Sequence, residues 1–510
     1  MPPHAATDLR AEARAGAFWT TLLTVASRLQ QTVMQLVLAW LLSPSDFGLI
    51  AMATTVMAFA WFLRHAGLGS ILIQRQKRFS LWVSPATAMV CLSGAAATLL
   101  ALAAAAPAAR AYGRPELAFI IGLFALSVLP EALRSIAQAK LRADLRFRSL
   151  TQLQLLNLAL VFALSVGLAW LNFGVYALVI PRVAGGFFGL AAEWAVARPG
   201  LRPRRMLRPR RWKHLLGSSV WITLAGLSVQ FMNQGDYAVL GFFEDEELVG
   251  HYYFAFLLSS QAMMLVTINI GGVLTPVLAR MQDRPAEQAD RFDEVCRLIA
   301  LVGFPACFGL ALVADPLLRV CFDPRYLPAI PFLQWLSVGM AFRLVGHNGS
   351  FLLQANGRWR RYFLLSFANA VLFLAACLVG HTLGGAAGLT AGVTLFYAAF
   401  GVSQLAFSGA RSERPKAARL ARIYTAPLAA TAPAYAGLAA IAGALAWPPL
   451  VELPLLILAG MASTGLVLRL AFPAAFAAVL EQLPGERWIQ RLPRFAAGRQ
   501  IADNTADPST

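Results

Sequence analysis

The residues of this chain with chemistry to offer are cations, carboxylates and amides set inside long apolar runs. Thr24, Arg28, Gln31 and Gln35 recur at i, i+4, i+7 and i+11, the spacing of one helix face. Ser127, Glu131, Arg134 and Gln138 repeat that spacing, and so do Arg343, His347, Ser350 and Gln354. Thr223, Gln230, Gln234 and Tyr237 come close to it, with Asn233 and Asp236 beside them. Guanidinium groups on such faces suit an oxyanion, because arginine donates in bidentate form to phosphate or carboxylate. The carboxylates Asp236 and Glu131 are candidates for ion coupling, Asp236 the better of the two. Catalytic machinery is not visible: no phosphate-binding GxxxxGK[ST], no HExxH and no nucleophile-elbow serine are present.

Polar faces of this kind need helices to carry them. The chain has 510 residues, 58% hydrophobic and 13% charged, with mean hydropathy +0.62. A soluble globular protein carries about 25% charged residues. The deficit is spread over continuous apolar runs of membrane-spanning length, which read as helices and not as the alternating strands of a barrel. Fourteen spans are expected, the first at 17–42 and the last at 453–472. The spans at 1, 4, 7 and 10 carry the polar stripes. In lipid each buried charge costs about 2.5 kcal/mol or more, so the stripes must face protein or a water-filled cavity.

The net charge of +18 does not point to nucleic acid, because the cations sit in short loops between spans. One side of the expected topology holds 33 of them and the opposite loops three, Arg110, Arg114 and Arg325. The positive-inside rule then places both termini in the cytoplasm. Only four cations are lysines, and the arginine bias tracks an alanine-rich composition, so an arginine alone is weak evidence for a binding fork. The five cysteines have no metal or redox spacing and read as packing residues.

The organisation expected is a cytoplasmic N-terminus at 1–15, a six-span lobe at 16–196 and a basic cytoplasmic linker at 197–214. A second six-span lobe at 215–408, two additional spans at 409–472 and a cytoplasmic tail at 473–510 follow. The lobes echo each other faintly: an offset of 202 residues aligns Phe47-Gly48 with Val249-Gly250, and Gly69 with Gly271. Parallel repeats of this kind place a substrate site between them.

Each polar residue also has a structural reading. Single Gln, Asn, Ser and Thr residues can simply bond helices together. Arg28, well inside its span, is read as a cavity residue. Arg64, His65, Arg134 and Arg343 lie nearer the basic ends, where they either face the cavity or snorkel to headgroups. Glu131 and Arg134, at i and i+3, are read as a neutralising pair. Arg182 is either functional or paired with Glu193. The substrate-facing set is therefore Arg28, Gln31, Gln35, Arg64, Arg134, Gln230, Asn233, Arg343 and His347, with Gly67 and Gly69 as a hinge at the end of the second span.

The stretch LAWLLSPSDFGLIAMATTVMAFAWFLRHAGLGSILIQR resembles the N-terminal signature of Wzx-type oligosaccharide flippases, the polysaccharide biosynthesis export proteins. NQGDYAVLGFFEDEELVGHYYFA, RYLPAIPFLQWLSVGMAFR and FLLQANGRWRR are similar to later parts of that family. The resemblance covers roughly residues 16 to 410. It implies an all-α polytopic membrane protein of the MATE-like type in a bacterial inner membrane, with two six-helix lobes around a cavity that opens alternately to each side. It implies transport of an undecaprenyl-diphosphate-linked glycan, with Arg28 and Arg64 as the positions that match phosphate-holding arginines. It needs no cofactor, and polysaccharide polymerase and chain-length or export proteins are the implied protein partners beside membrane lipids. The main alternative is a multidrug or metabolite antiporter of the same fold, in which carboxylates would replace arginines in the cavity. A membrane glycosyltransferase or polymerase would need a large outer loop or acidic catalytic motifs.

Overall fold

A computed structural model describes residues 3–64, 79–200, 220–267, 274, 278–408, 415–445 and 447–473. Its regular elements are helices: α1 (Pro3–Leu41), α2 (Pro44–Arg64), α3 (Phe79–Ala111), α4 (Glu116–Ala143), α5 (Phe147–Trp170), α6 (Tyr176–Ala197), α7 (Val220–Phe243) and α8 (Glu246–Thr267). They continue with α9 (Pro285–Cys321), a 3-10 turn at Pro324–Ala329, α10 (Ile330–Gly346), α11 (Asn348–Ala355), α12 (Trp359–Phe407), α13 (Lys416–Leu445) and α14 (Pro449–Ala471). Ten described helical stretches are long and apolar enough to cross a membrane. One of them, α12, is two helices joined at Gly384 and Gly385, where Gly385 adopts a φ of 57°. That corner falls between the spans expected at 362–381 and 386–408. Outside those ten, the 39-residue α1, α7 and α8 overlap the spans expected at 17–42, 215–240 and 250–278. The protein is an all-α polytopic membrane protein.

The chain divides into two compact units. The first holds Met1–Gln261, Leu317–Gly339 and Gly357–Phe400; the second holds Ala262–Pro316, Met340–Asn356 and Gly401–Thr510.

In the first unit α2 packs against α3, α4 and α7, and α4 packs against α3 and α6. The sequence SPSD starts α2. Ser43 accepts from the Asp46 backbone N–H at 3.3 Å, while the Asp46 carboxylate accepts from the Ser43 backbone N–H at 3.0 Å and from its hydroxyl at 2.6 Å. This reciprocal capping box satisfies two donors that the helix leaves open, and Pro44 at the first helical position has no N–H to satisfy. Asp245 caps α8 in the same place, accepting from Leu248 N–H at 2.8 Å.

The starts of α2 and α8 cross each other. A side chain at Gly48 would overlap the Glu246 carbonyl oxygen, and one at Gly250 would overlap the Pro44 carbonyl oxygen. The contact is reciprocal, and its two halves are separated by the same 202 residues that relate Phe47-Gly48 to Val249-Gly250. Around the crossing, the Phe47 ring stands 6.2 to 6.4 Å from the rings of Tyr253, Phe254 and Tyr326. The Tyr326 hydroxyl donates to the Leu42 carbonyl at 3.0 Å. Two of the three cations at this less basic end are neutralised locally. Arg114 pairs with Glu246, and Arg325 with Asp323 at 2.9 Å, whose hydrogen bonds hold the Asp323 carboxyl below the usual carboxylate range.

In the second unit α13 packs on α14. Leu301, Ala426, Ala430 and Leu468 form a buried cluster joining α9, α13 and α14. Arg419 at the start of α13 grips Asp293 of α9 in bidentate form, at 2.6 and 2.7 Å, with side chains 6% and 2% exposed.

Candidate functional site

The polar face of α4 meets a polar face of α6. Arg182, Gly186, Gly189 and Glu193 lie at i, i+4, i+7 and i+11, the same spacing as Ser127, Glu131, Arg134 and Gln138 opposite them. The two glycines let the helices close on side chains of α4: a Cβ at Gly189 would overlap the Arg134 guanidinium, and one at Gly186 would touch Ser127 and Glu131. At one end Arg134 donates to Glu193 at 2.7 Å, and the Gln138 amide donates to both Glu193 oxygens at 3.1 and 3.3 Å. These side chains are closed in, Arg134 13% and Glu193 1% exposed. At the other end Arg182 lies 4.0 Å from Glu131, and the side chains are 45% and 18% exposed. The Arg182 guanidinium stacks over Trp61 of α2 at 4.2 Å, with Phe124 at 5.9 Å.

These pairings correct one expectation and decide between two readings of another. The carboxylate partner of Arg134 is not Glu131, three residues away on its own helix, but Glu193, 59 residues on. Glu193 is therefore not the partner of Arg182, which stands beside Glu131. The physical reason is the matched spacing of the two faces: a helix face directed at a neighbour meets that neighbour's charges at every turn. Arg134 turns inward and does not snorkel.

On α1 the Arg28 guanidinium donates to Gln31 at 3.4 Å, so the two act as one polar patch. Gln35, further along the same face, accepts from Gln261 of α8 at 3.1 Å. Gln261 was not among the residues singled out by the stripe pattern, because it stands without companions at helical spacing on α8. On α7 Asn233 donates to Gln230 at 3.3 Å, an analogous intrahelical pair. Asp236 is fully buried, accepting from the Tyr252 hydroxyl at 2.9 Å and from the Tyr237 backbone N–H at 3.0 Å. Three further rings, of Tyr252, Tyr253 and Phe256, stand 5.3 to 5.8 Å from the ring of Tyr237.

Arg343 and His347 belong to the second unit. The His347 carbonyl accepts from Ser350 at 2.6 Å, and its ring stands edge-on to Phe351 at 5.3 Å. The structure thus brings together Arg134, Gln138 and Glu193, and Arg182 with Glu131. It joins Gln35 to Gln261 and Gln230 to Asn233. Arg64 is the last residue of α2 and its side chain lies outside the described residues, as do His65, Gly67, Gly69, the 6–7 linker from 201 and the tail from 474. What the sequence reading missed was the α6 face. Its signal was legible: two charges and two glycines at the same spacing as the stripe on α4.

Comparison with known proteins adds the following. The chain is 26% identical over 344 residues to the teichuronic acid biosynthesis protein TuaB of Bacillus subtilis (strain 168), covering 67% of this chain and 71% of that protein. It is 24% identical over 397 residues to the lipopolysaccharide biosynthesis protein WzxC of Escherichia coli (strain K12), covering 76% and 79%. Among solved structures its fold is similar to that of the lipid II flippase MurJ in an inward closed conformation, with a TM-score of 0.64, 13% identity, and coverage of 89% of this chain and 99% of that one. A model of the polysaccharide biosynthesis protein family matches residues 37–331, more than half of the sequence and including the whole of the SPSD-centred signature, and the chain belongs to that family.

Proposed function

We propose that the protein is a flippase of a bacterial inner membrane that moves an undecaprenyl-diphosphate-linked oligosaccharide from the cytoplasmic to the periplasmic leaflet by alternating access. The single observation that carries this reading is the set of arginines inside long helices of the first unit: Arg28 on α1, which donates to Gln31 on a face whose Gln35 meets Gln261 of α8, and Arg182 on α6, which stacks over Trp61 of α2. Cations so placed are costly in lipid and suit an anionic cargo. Family membership and the names of the relatives, which concern polysaccharide biosynthesis, support the same cargo class.

Both termini are cytoplasmic, as the 33 cations on one side require. The α2–α8 crossing then closes the periplasmic end, consistent with a state accessible from the cytoplasm. The diphosphate engages Arg28, with Gln31 and Gln35 continuing the polar path and Arg64, Gln230 and Asn233 as further contacts. Asp236 couples transport to an ion, as a fully buried carboxylate can take up a proton or cation when the cavity wets. The glycan's polymerase and chain-length or export proteins are the protein partners. Purified protein in proteoliposomes, given an undecaprenyl-diphosphate-linked oligosaccharide in one leaflet, should move it to the other; absence of movement with correctly inserted protein would sink the proposal.

A further inference from the structure

We infer that Arg182 is the cation of the α4–α6 ladder that engages the cargo, and that its ligand is an oxyanion, a phosphate or a carboxylate. The inference rests on the transport function proposed above and names a residue for it. The ladder holds two arginines with opposite surroundings. Arg134 has its carboxylate at 2.7 Å in a closed pocket, so its charge is already met. Arg182 has Glu131 only at 4.0 Å, the limit of an ion pair, and keeps 45% of its side chain open.

That open surface does not face lipid. Arg182 belongs to α6, yet it lies against Trp61 of α2 and against Phe124 and Glu131 of α4. A side chain held against two neighbouring helices and still half open faces a cleft between them. On the lipid side of α6 stand Phe187 and Phe188, both exposed. The stack on Trp61 uses the flat face of the guanidinium and leaves its N–H edge available for a planar bidentate acceptor. It also fixes the plane in advance, which lowers the entropy cost of binding. A lysine would keep the charge and lose both the fork and the stack.

The test is a binding measurement on the full chain in nanodiscs. Two probes separate the sources of the oxyanion: farnesyl diphosphate stands for the lipid carrier and glucuronic acid for an acidic sugar. Arg182→Gln should weaken the binding of one of them at least about 10-fold, the loss of a charge-assisted hydrogen bond. A loss with farnesyl diphosphate assigns the site to the carrier, and a loss with glucuronic acid assigns it to the glycan. Its melting temperature should stay near that of the wild type, because the ion pair it removes is long and open. Arg182→Lys should fall between the two, and if Arg182→Gln does not fold, the lysine variant decides. Unchanged affinity of the folded variant for both probes would overturn the inference, as would a wild type that binds neither. A wild type that binds a probe but moves no lipid-linked glycan would instead overturn the transport function.

Discussion

The closed end of the α4–α6 ladder makes a quantitative prediction. Glu193 is 1% exposed and accepts three hydrogen bonds, one from Arg134 and two from Gln138. Glu193→Ala removes the acceptor and leaves a guanidinium that is 13% exposed without its counter-charge. Breaking one side of a buried pair costs about 3–5 kcal/mol, most of it the penalty on the charge left behind. Replacing both partners by apolar residues of similar size is close to neutral, because that charge is then gone. Glu193→Ala should therefore melt well below the wild type in detergent, and Arg134→Met combined with Glu193→Leu should recover most of the loss. Trp194, one of twelve tryptophans, sits next to Glu193 with its indole N–H donating to the Leu133 carbonyl at 3.1 Å, so its fluorescence in a variant lacking the other eleven reads the site. A Glu193→Ala variant that melts with the wild type would refute the reasoning, and so would a double variant no more stable than the single one. Transport by the double variant reports separately on Arg134. Retained transport makes this arginine structural, and a stable double variant without transport makes it a contact of the cargo.

Four further outcomes follow from the same geometry. Gly48→Ala and Gly250→Ala should each destabilise the protein by about 1–3 kcal/mol in thermal melts, as overpacking against backbone does, whereas Gly437→Ala, with nothing within 4 Å, should not. Asp293→Ala should cost about 3–5 kcal/mol, and Arg419→Met combined with Asp293→Leu should restore much of it; equal melting of Asp293→Ala and wild type would show that the pair does not hold α13 to α9. Asp46→Ala opens the capping box and should lower stability by about 0.5–2 kcal/mol, measured by the same melts. Arg28→Ala should abolish export while the protein still inserts and folds; wild-type export from a cell carrying it would make that arginine structural.

The sequence by itself determined the class of the protein and most of its elements. Apolar runs of bilayer length can only be helices here, because backbone groups in lipid must be bonded within the segment. The start of α2 at SPSD rests on capping chemistry, which is local in sequence. The polar stripes were legible because a 3.6-residue period fixes which residues share a face. The period does not fix which neighbour that face meets. The tertiary structure decided that: it turned Arg134 to Glu193 across 59 residues of sequence, set Arg182 on Trp61, and joined Gln35 to Gln261 across 226. An intrahelical partner three residues away is visible in any listing of the chain. A partner on another helix depends on how each helix is rotated about its axis, and packing at Gly186, Gly189, Gly48 and Gly250 sets that rotation through contacts that local sequence does not encode.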